Sequence, residues 1–365
     1  MNQQNRIGLN FIRPDVNRPG NYDFINSGVW LVDQYKLMGV KWNRLAFSWV
    51  LIEPEQGVFH WEPYDRIIDA CQAVGIEILA TLGGHFDRPP VPTWAGESLS
   101  QVIHEHSEYL ERFIATWVRR YAGKINHWEM LNEPNTHHKG LAVLDYVEKI
   151  LKPGFRIVKS IDPQAKVLPC AYNNLPIIGN KEDFWEASRG YCDIHNLHIY
   201  RDWAIFRSQT HADLEVEDAA NFHSLMEKHG EAEKGFWVTE TGWWGTGGLT
   251  SSMYETYKQD PTLRIAFKPS YTGKEILEHP VVLREDEKRA AWMKELFPGL
   301  LNIPGCEKVF FWVALDEFEN GYAPDRWYGN TTAEQPGAQV DLWGIIAGDK
   351  TWRKSAFVLQ KILQR

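Results

Sequence analysis

Two glutamates each close an apolar run of the chain. Glu133 ends His127-Trp128-Glu129-Met130-Leu131-Asn132-Glu133-Pro134, and Glu240 ends Phe236-Trp237-Val238-Thr239-Glu240 before Thr241-Gly242-Trp243-Trp244. If both runs are strands, each carboxylate sits where a strand meets a loop, and Pro134 stops further pairing. A carboxyl group among tryptophan rings is poorly solvated and favours its protonated form, which suits a general acid. A second, ionised carboxylate facing it would act on the same bond. A pair about 5–5.5 Å apart leaves room for direct attack and a covalent intermediate, whereas roughly 6.5–9.5 Å leaves room for a water between them. Each glutamate taken singly is weak evidence, because a loop acid reads the same way.

The elements that would carry them alternate along the whole chain. Short apolar segments bounded by turn residues fall at Ile7–Phe11, Asn43–Phe47, Ile76–Leu82, His127–Leu131, Val167–Ala171, Asp193–Ile199, Gly235–Thr239 and Val309–Ala314. Apolar runs of this kind fit strands of a parallel sheet covered on both faces. Amphipathic stretches lie between them, at Gly28–Met38, Tyr64–Val74, Val102–Tyr121, Leu141–Ser160, Phe184–Ser188, Glu215–His229, Glu285–Leu296 and Thr351–Leu363. Gly39, Gly75 and Asp162-Pro163 supply ordinary helix stops.

Eight such units predict an α/β fold, a (β/α)8 barrel spanning residues 1–365 as a single domain. An open doubly wound sheet would put a glycine-rich loop after its first strand; here Arg13-Pro14-Asp15 follows instead. The fourth and seventh strands are three steps apart in an eight-membered ring, so Glu133 and Glu240 would face each other across its mouth. Long connections follow the seventh strand (Trp243–Arg284) and the eighth (Asp316–Asp341), on the face that carries active sites in this fold.

Composition narrows the partners. The 365 residues carry a net charge of −9, which argues against nucleic acid or an anionic membrane surface. Seventeen Trp, 14 Tyr and 17 Phe suit either a ring-rich core or the stacking of flat rings on sugar faces. Cys71, Cys170, Cys192 and Cys306 form no C-x-x-C pair, so neither a metal nor another cofactor is expected. His104 and His106 would point about 200° apart on a helix, too far round to share an ion as an i, i+4 pair can, and His137-His138 more plausibly line a cleft. Asp316, Glu317 and Glu319 read as a solvated loop. No G-x-S-x-G elbow is present, which argues against an esterase. No leader is visible, so the chain as given reads as cytoplasmic; a removed leader would make it secreted.

Asn132-Glu133-Pro134 together with Glu240 resembles the clan A glycoside hydrolases, retaining (β/α)8 enzymes acting on β-glycosides. The resemblance covers essentially the whole chain and implies Glu133 as acid/base and Glu240 as nucleophile. It also implies Arg44 as the arginine that orients the nucleophile, and Asn132 as the asparagine on the sugar 2-hydroxyl. His198 and Tyr200 match the clan's His-x-Tyr, with Tyr200 holding the nucleophile and His198 near the acid/base. His85 and Trp312 resemble a substrate-contacting histidine and a sugar-stacking tryptophan; Trp94, Trp243 and Trp244 are further stacking candidates. Individual segments resemble families 5, 17 and 39, and no single family accounts for all of them. The alternatives are a transglycosylase on the same scaffold or a catalytically inactive carbohydrate-binding barrel.

Overall fold

A computed structural model of the chain describes residues 5–11, 23–83, 91–134, 141–170, 182–200, 212–243, 278, 280–315, 344–347 and 350–364. Eight parallel strands form one sheet: β1 (Ile7–Phe11), β2 (Trp42–Phe47), β3 (Glu77–Leu82), β4 (His127–Glu129), β5 (Lys166–Leu168), β6 (His195–Ile199), β7 (Phe236–Thr241) and β8 (Cys306–Phe311). Their order is β5-β4-β3-β2-β1-β8-β7-β6, with β1 paired to both β2 and β8. The ends of that order approach where Asp193 N donates to Val167 O at 2.8 Å, so the sheet is a nearly closed (β/α)8 barrel.

Helices α1 (Asp23–Met38), α2 (Glu62–Ala73), α3 (Ser107–Tyr121), α4 (Lys152–Ile161), α5 (Glu182–Ser188), α6 (Ala212–Lys228), α7 (Pro280–Leu301) and α8 (Lys354–Leu363) follow the strands in turn. Helix α3 shows why they dock. Leu110, Phe113, Ile114, Trp117, Val118 and Tyr121 recur at three- and four-residue steps and are all buried, while Arg119 and Arg120 in the last turn stay in water. The amphipathic stretch 102–121 is interrupted at His106, which caps a separate helix, Leu99–Glu105. The stretch 141–160 is likewise divided, by a wide turn at Val147–Leu151.

Strand alternation sorts the barrel interior into layers. At the amino-terminal end Trp42, Leu79, Leu168, Ile194, Trp237 and Phe310 pack as an apolar plug. Lys308 Nζ lies 4.2 Å from the Trp42 ring centre and 5.0 Å from that of Trp237. Gly8 makes room for this plug: a Cβ there would meet Phe310 ring carbons at 2.5 Å and Trp42 Cβ at 2.9 Å. One step toward the carboxyl ends the buried side chains turn polar: Asn10, Arg44, Thr81, Glu129, Asn196 and Thr239.

Some strands are shorter than expected: 167–171 is reduced to Lys166–Leu168 and 193–199 to His195–Ile199. The segment 127–131 pairs only over His127–Glu129, because Leu131 (φ 103°) and Glu133 (φ 35°) leave the extended region. Strict alternation therefore does not carry Glu133 onto the face of Glu129; a left-handed backbone does. Such conformations cost of order 1–3 kcal/mol in a side chain with a Cβ and persist where surrounding contacts fix them.

Candidate active site

Arg44 is the hub of the polar layer. It rises from β2 into the barrel with 4% of its side chain exposed. Its Nε donates to Glu129 Oε2 at 2.6 Å, Nη2 to Asn132 Oδ1 at 2.7 Å, and Nη1 to Asn10 Oδ1 at 3.0 Å and to Glu240 Oε1. Burial works against the guanidinium charge, but Glu129 and Glu240 more than offset it and hold Arg44 firmly charged.

Glu240 stands on β7, buried, with both oxygens engaged. Oε1 faces Arg44 and Oε2 accepts from the Tyr200 hydroxyl at 2.9 Å. Burial, then the neighbouring carboxylates of Glu240 and Glu133, push the Tyr200 phenol far above its ordinary range, so it remains a donor. Near the same oxygen, His198 Nδ1 lies 3.4 Å from Glu240 Oε2 and 2.6 Å from Glu133 Oε1. Oxygens of Glu133 and Glu240 and a ring nitrogen of His198 all lie within 4.8 Å of one another. Glu133 and Glu240 are each only 2% exposed. The β6–β7 register shifts between Leu197 and His198, so that His198 pairs with Glu240.

The structure thus brings Arg44, Asn132, Glu133, His198, Tyr200 and Glu240 into one constellation at the carboxyl ends of the strands. Trp312 borders it, half-buried against Tyr200 and Val313. Trp243 and Trp94 are placed otherwise. Trp243 is 5% exposed and packs on Trp292, ring centres 5.8 Å apart. Trp94 Nε1 donates to Glu53 O at 2.9 Å, with its ring against Trp49 and under Arg112. Both belong mainly to packing clusters, with Trp94 keeping an exposed edge. His85, His137, His138, Trp244, Asp316, Glu317 and Glu319 lie outside the described residues. His104 is exposed and His106 half-buried, and they do not converge: His104 Nδ1 is 2.7 Å from Ser100 O, and His106 stacks on Tyr109.

Sequence reasoning missed the floor of the site. Glu129, Asn10, Thr81, Asn196 and Thr239 place polar groups at equivalent depth in apolar strands. That recurrence of single polar residues in otherwise apolar runs is the signal that could have found them.

Two groups of side chains among the described residues have the composition of metal ligands, Glu133–His198–Glu240 and Cys192–His195–Glu231. In the first, the Arg44 guanidinium on Glu240 already supplies a cation. In the second, Lys234 does: its ammonium lies 2.5 Å from Glu231 Oε2, which is also 2.9 Å from His195 Nε2. There burial disfavours charged His195, but Cys192 and Glu231 overcome it and raise the imidazole to about 9. Burial raises the Glu231 carboxyl, but His195 and Lys234 outweigh it and bring it down to about 2.

With this geometry in view, the chain was compared with known proteins. The family model described as Glycosyl hydrolase family 10 matches residues 41–336. The chain belongs to that family. It is 31% identical to endo-1,4-beta-xylanase 1 of Gibberella zeae over 136 residues, 35% of this chain and 36% of the relative. The chain thus covers less than half the length of the curated relatives it matches, from 21% to 46%. Among solved structures, the family 1 β-glucosidase of Thermotoga maritima superposes with a TM-score of 0.66 at 14% identity, covering 100% of this chain and 98% of the other. Xylanase 10B of Thermotoga petrophila gives 0.57 at 13% identity, covering 99% and 95%. At these identities the structural likeness is one of fold. The clan-level resemblance drawn from Asn132-Glu133-Pro134 and Glu240 agrees with this membership; family 10 itself was not among the families whose segments stood out.

Proposed function

We propose that this family 10 member hydrolyses a β-linked glycoside with retention, through a covalent glycosyl-enzyme intermediate. The observation that carries the reading is the separation of Glu133 and Glu240, whose oxygens approach within 4.8 Å. So close an approach supports the short-gap arrangement of direct attack over the wider one, about 6.5–9.5 Å, that inversion uses.

The two carboxylates are dressed for different tasks. Glu240, aligned by Arg44 and Tyr200, attacks the anomeric carbon. Glu133, hydrogen-bonded to His198 Nδ1, protonates the departing oxygen. In the second step Glu133 takes a proton from water, which opens the Glu240 ester. Asn132, fixed by Arg44 Nη2, is aimed to hold the sugar's 2-hydroxyl. Trp312 at the rim offers a stacking face. None of these steps calls on a metal or cofactor.

A β-1,4-linked xylan backbone is the proposed substrate class, by analogy with the endo-1,4-beta-xylanases to which the chain is similar. A carbohydrate is the partner on this reading, with no part for nucleic acid or membrane; no helix among the described residues is long and apolar enough to cross one. Glu240→Gly should abolish turnover of an aryl β-xyloside, and added azide should restore it with an inverted glycosyl azide as product. A variant that keeps its fold and stays silent in azide over a panel of aryl β-glycosides would refute the assignment of Glu240.

A further inference from the structure

Beneath the catalytic pair lies a carboxylate that double displacement does not use. Glu129 on β4 has no exposed surface, yet donors from four other strands converge on it. Arg44 Nε (β2) and Thr81 Oγ1 (β3) share Oε2; Asn196 Nδ2 (β6), at 2.5 Å, and Thr239 Oγ1 (β7), at 3.3 Å, share Oε1. The Arg44 guanidinium and the Asn196 amide nitrogen can only donate, and the two threonine hydroxyls can turn to do so, so the described partners suit a carboxylate paired with a fixed cation.

Arg44 therefore lies between two acids. Its Nε edge faces Glu129; its Nη1 faces Asn10 Oδ1 and Glu240, and its Nη2 faces Asn132 Oδ1. A guanidinium is a rigid planar fork, so a partner on Nε fixes the directions of both Nη groups. Among the described residues, the other titratable groups that face Glu240 are Tyr200, His198 and, through His198, Glu133.

Resting on the assignment of Glu240 as nucleophile, we propose that Glu129 is a positioning residue acting through Arg44. It clamps the guanidinium so that Nη1 and Nη2 point at Glu240 and Asn132. It also takes up part of the positive charge, leaving Glu240 electron-rich enough to attack. Without the Glu129 charge the whole guanidinium would bear on Glu240, which would be a poorer nucleophile and a better leaving group.

The test uses the full chain, an aryl β-xyloside with a good leaving group, and kcat/KM as a function of pH. Glu129→Gln preserves shape, and Asn196 Oδ1, buried and without a partner among the described residues, can turn to accept from the new amide. This variant should lose about tenfold in kcat/KM, and its acidic limb should move down by about one pH unit. Pre-steady-state breakdown of the glycosyl-enzyme should not slow. Glu129→Asp retains the charge, so its limb should stay within about 0.3 unit of wild type even if the rate falls. In an Arg44→Met background, Glu129→Gln should add no shift.

An unmoved limb in Glu129→Gln would overturn the proposal, as would a shift that persists without Arg44. If Glu129→Gln does not fold, Glu129→Asp decides: a limb displaced by a full unit with the charge intact would also overturn it. Absence of wild-type turnover, or a covalent adduct on a residue other than Glu240, would instead overturn the functional reading.

Discussion

Replacing Arg44 with methionine should destabilise the barrel and disable the site together, and the two losses can be separated. Methionine fills much of the arginine volume but removes the charge that Glu129 and Glu240 share. Both acids are buried, Glu129 completely. Removing one partner of a buried ion pair costs about 3–5 kcal/mol, because the other charge is left uncompensated. A chain of 365 residues unfolds with an entropy near 0.8 kcal/mol/K, from about 2.1 cal/mol/K per residue. A deficit of about 4 kcal/mol should therefore lower Tm by about 5 °C. The assay is calorimetry at neutral and acid pH, with aryl β-xyloside turnover measured on the same samples. At acid pH the orphaned carboxylate can take a proton, so the deficit should shrink. Arg44→Met/Glu129→Met, which replaces the pair by apolar side chains, should recover part of the stability but none of the activity. Turnover should fall on the order of 100-fold or more in both variants, the usual cost of a nucleophile out of line. An Arg44→Met protein that melts within a degree of wild type, or whose deficit is the same at acid pH, would refute the claim that Arg44 neutralises buried acids.

Two further outcomes follow from the rest of the barrel. Gly8→Ala places a methyl group against the Phe310 ring and Trp42 Cβ; a cost of about 1–3 kcal/mol is expected by denaturant titration, with little change in catalytic pH dependence. Two histidines should bound the stability profile on either side of pH ~6.5. Burial and then the nearby Lys308 and Lys166 push His127 down to about 4, so its neutral form is native and stability is lost as pH falls from about 6.5 toward 4. His195, raised to about 9, is charged when native, and its contribution is lost as pH rises from about 6.5 through 9. His195→Gln should lower the neutral-pH Tm and flatten the alkaline side only; an unchanged alkaline slope would count against the Cys192–His195–Glu231–Lys234 network as drawn.

Much of this architecture was legible in the chain because its physics is local. Apolar segments bounded by turn residues located the eight strands, and helix-stop glycines such as Gly39 and Gly75 located the connections; Ile7–Phe11 agrees to the residue. Strand ends were less legible. The expected strand 127–131 stops at Glu129 because Leu131 and Glu133 adopt left-handed backbone, a conformation set by contacts distant in sequence. The pairing of Glu240 with Arg44 and with Tyr200 could be anticipated from a resemblance; that of Arg44 with Glu129 could not, since it depends on register across β2, β3 and β4. The packing of the tryptophans was not legible either: Trp243 meets Trp292 and Trp94 meets Trp49, contacts set by the tertiary fold. Trp312 packs beside Tyr200, which itself donates to Glu240.

The central claim is that Glu240 forms a bond to the sugar while Glu133 manages protons. Incubation with a 2-deoxy-2-fluoro aryl β-xyloside, followed by proteolysis and mass spectrometry, tests it directly. The account predicts one fluoroglycosyl group per chain, carried on the peptide containing Glu240 and absent from Glu240→Gln. An adduct on any other residue, or steady turnover of the reagent with inversion and no adduct, would contradict it.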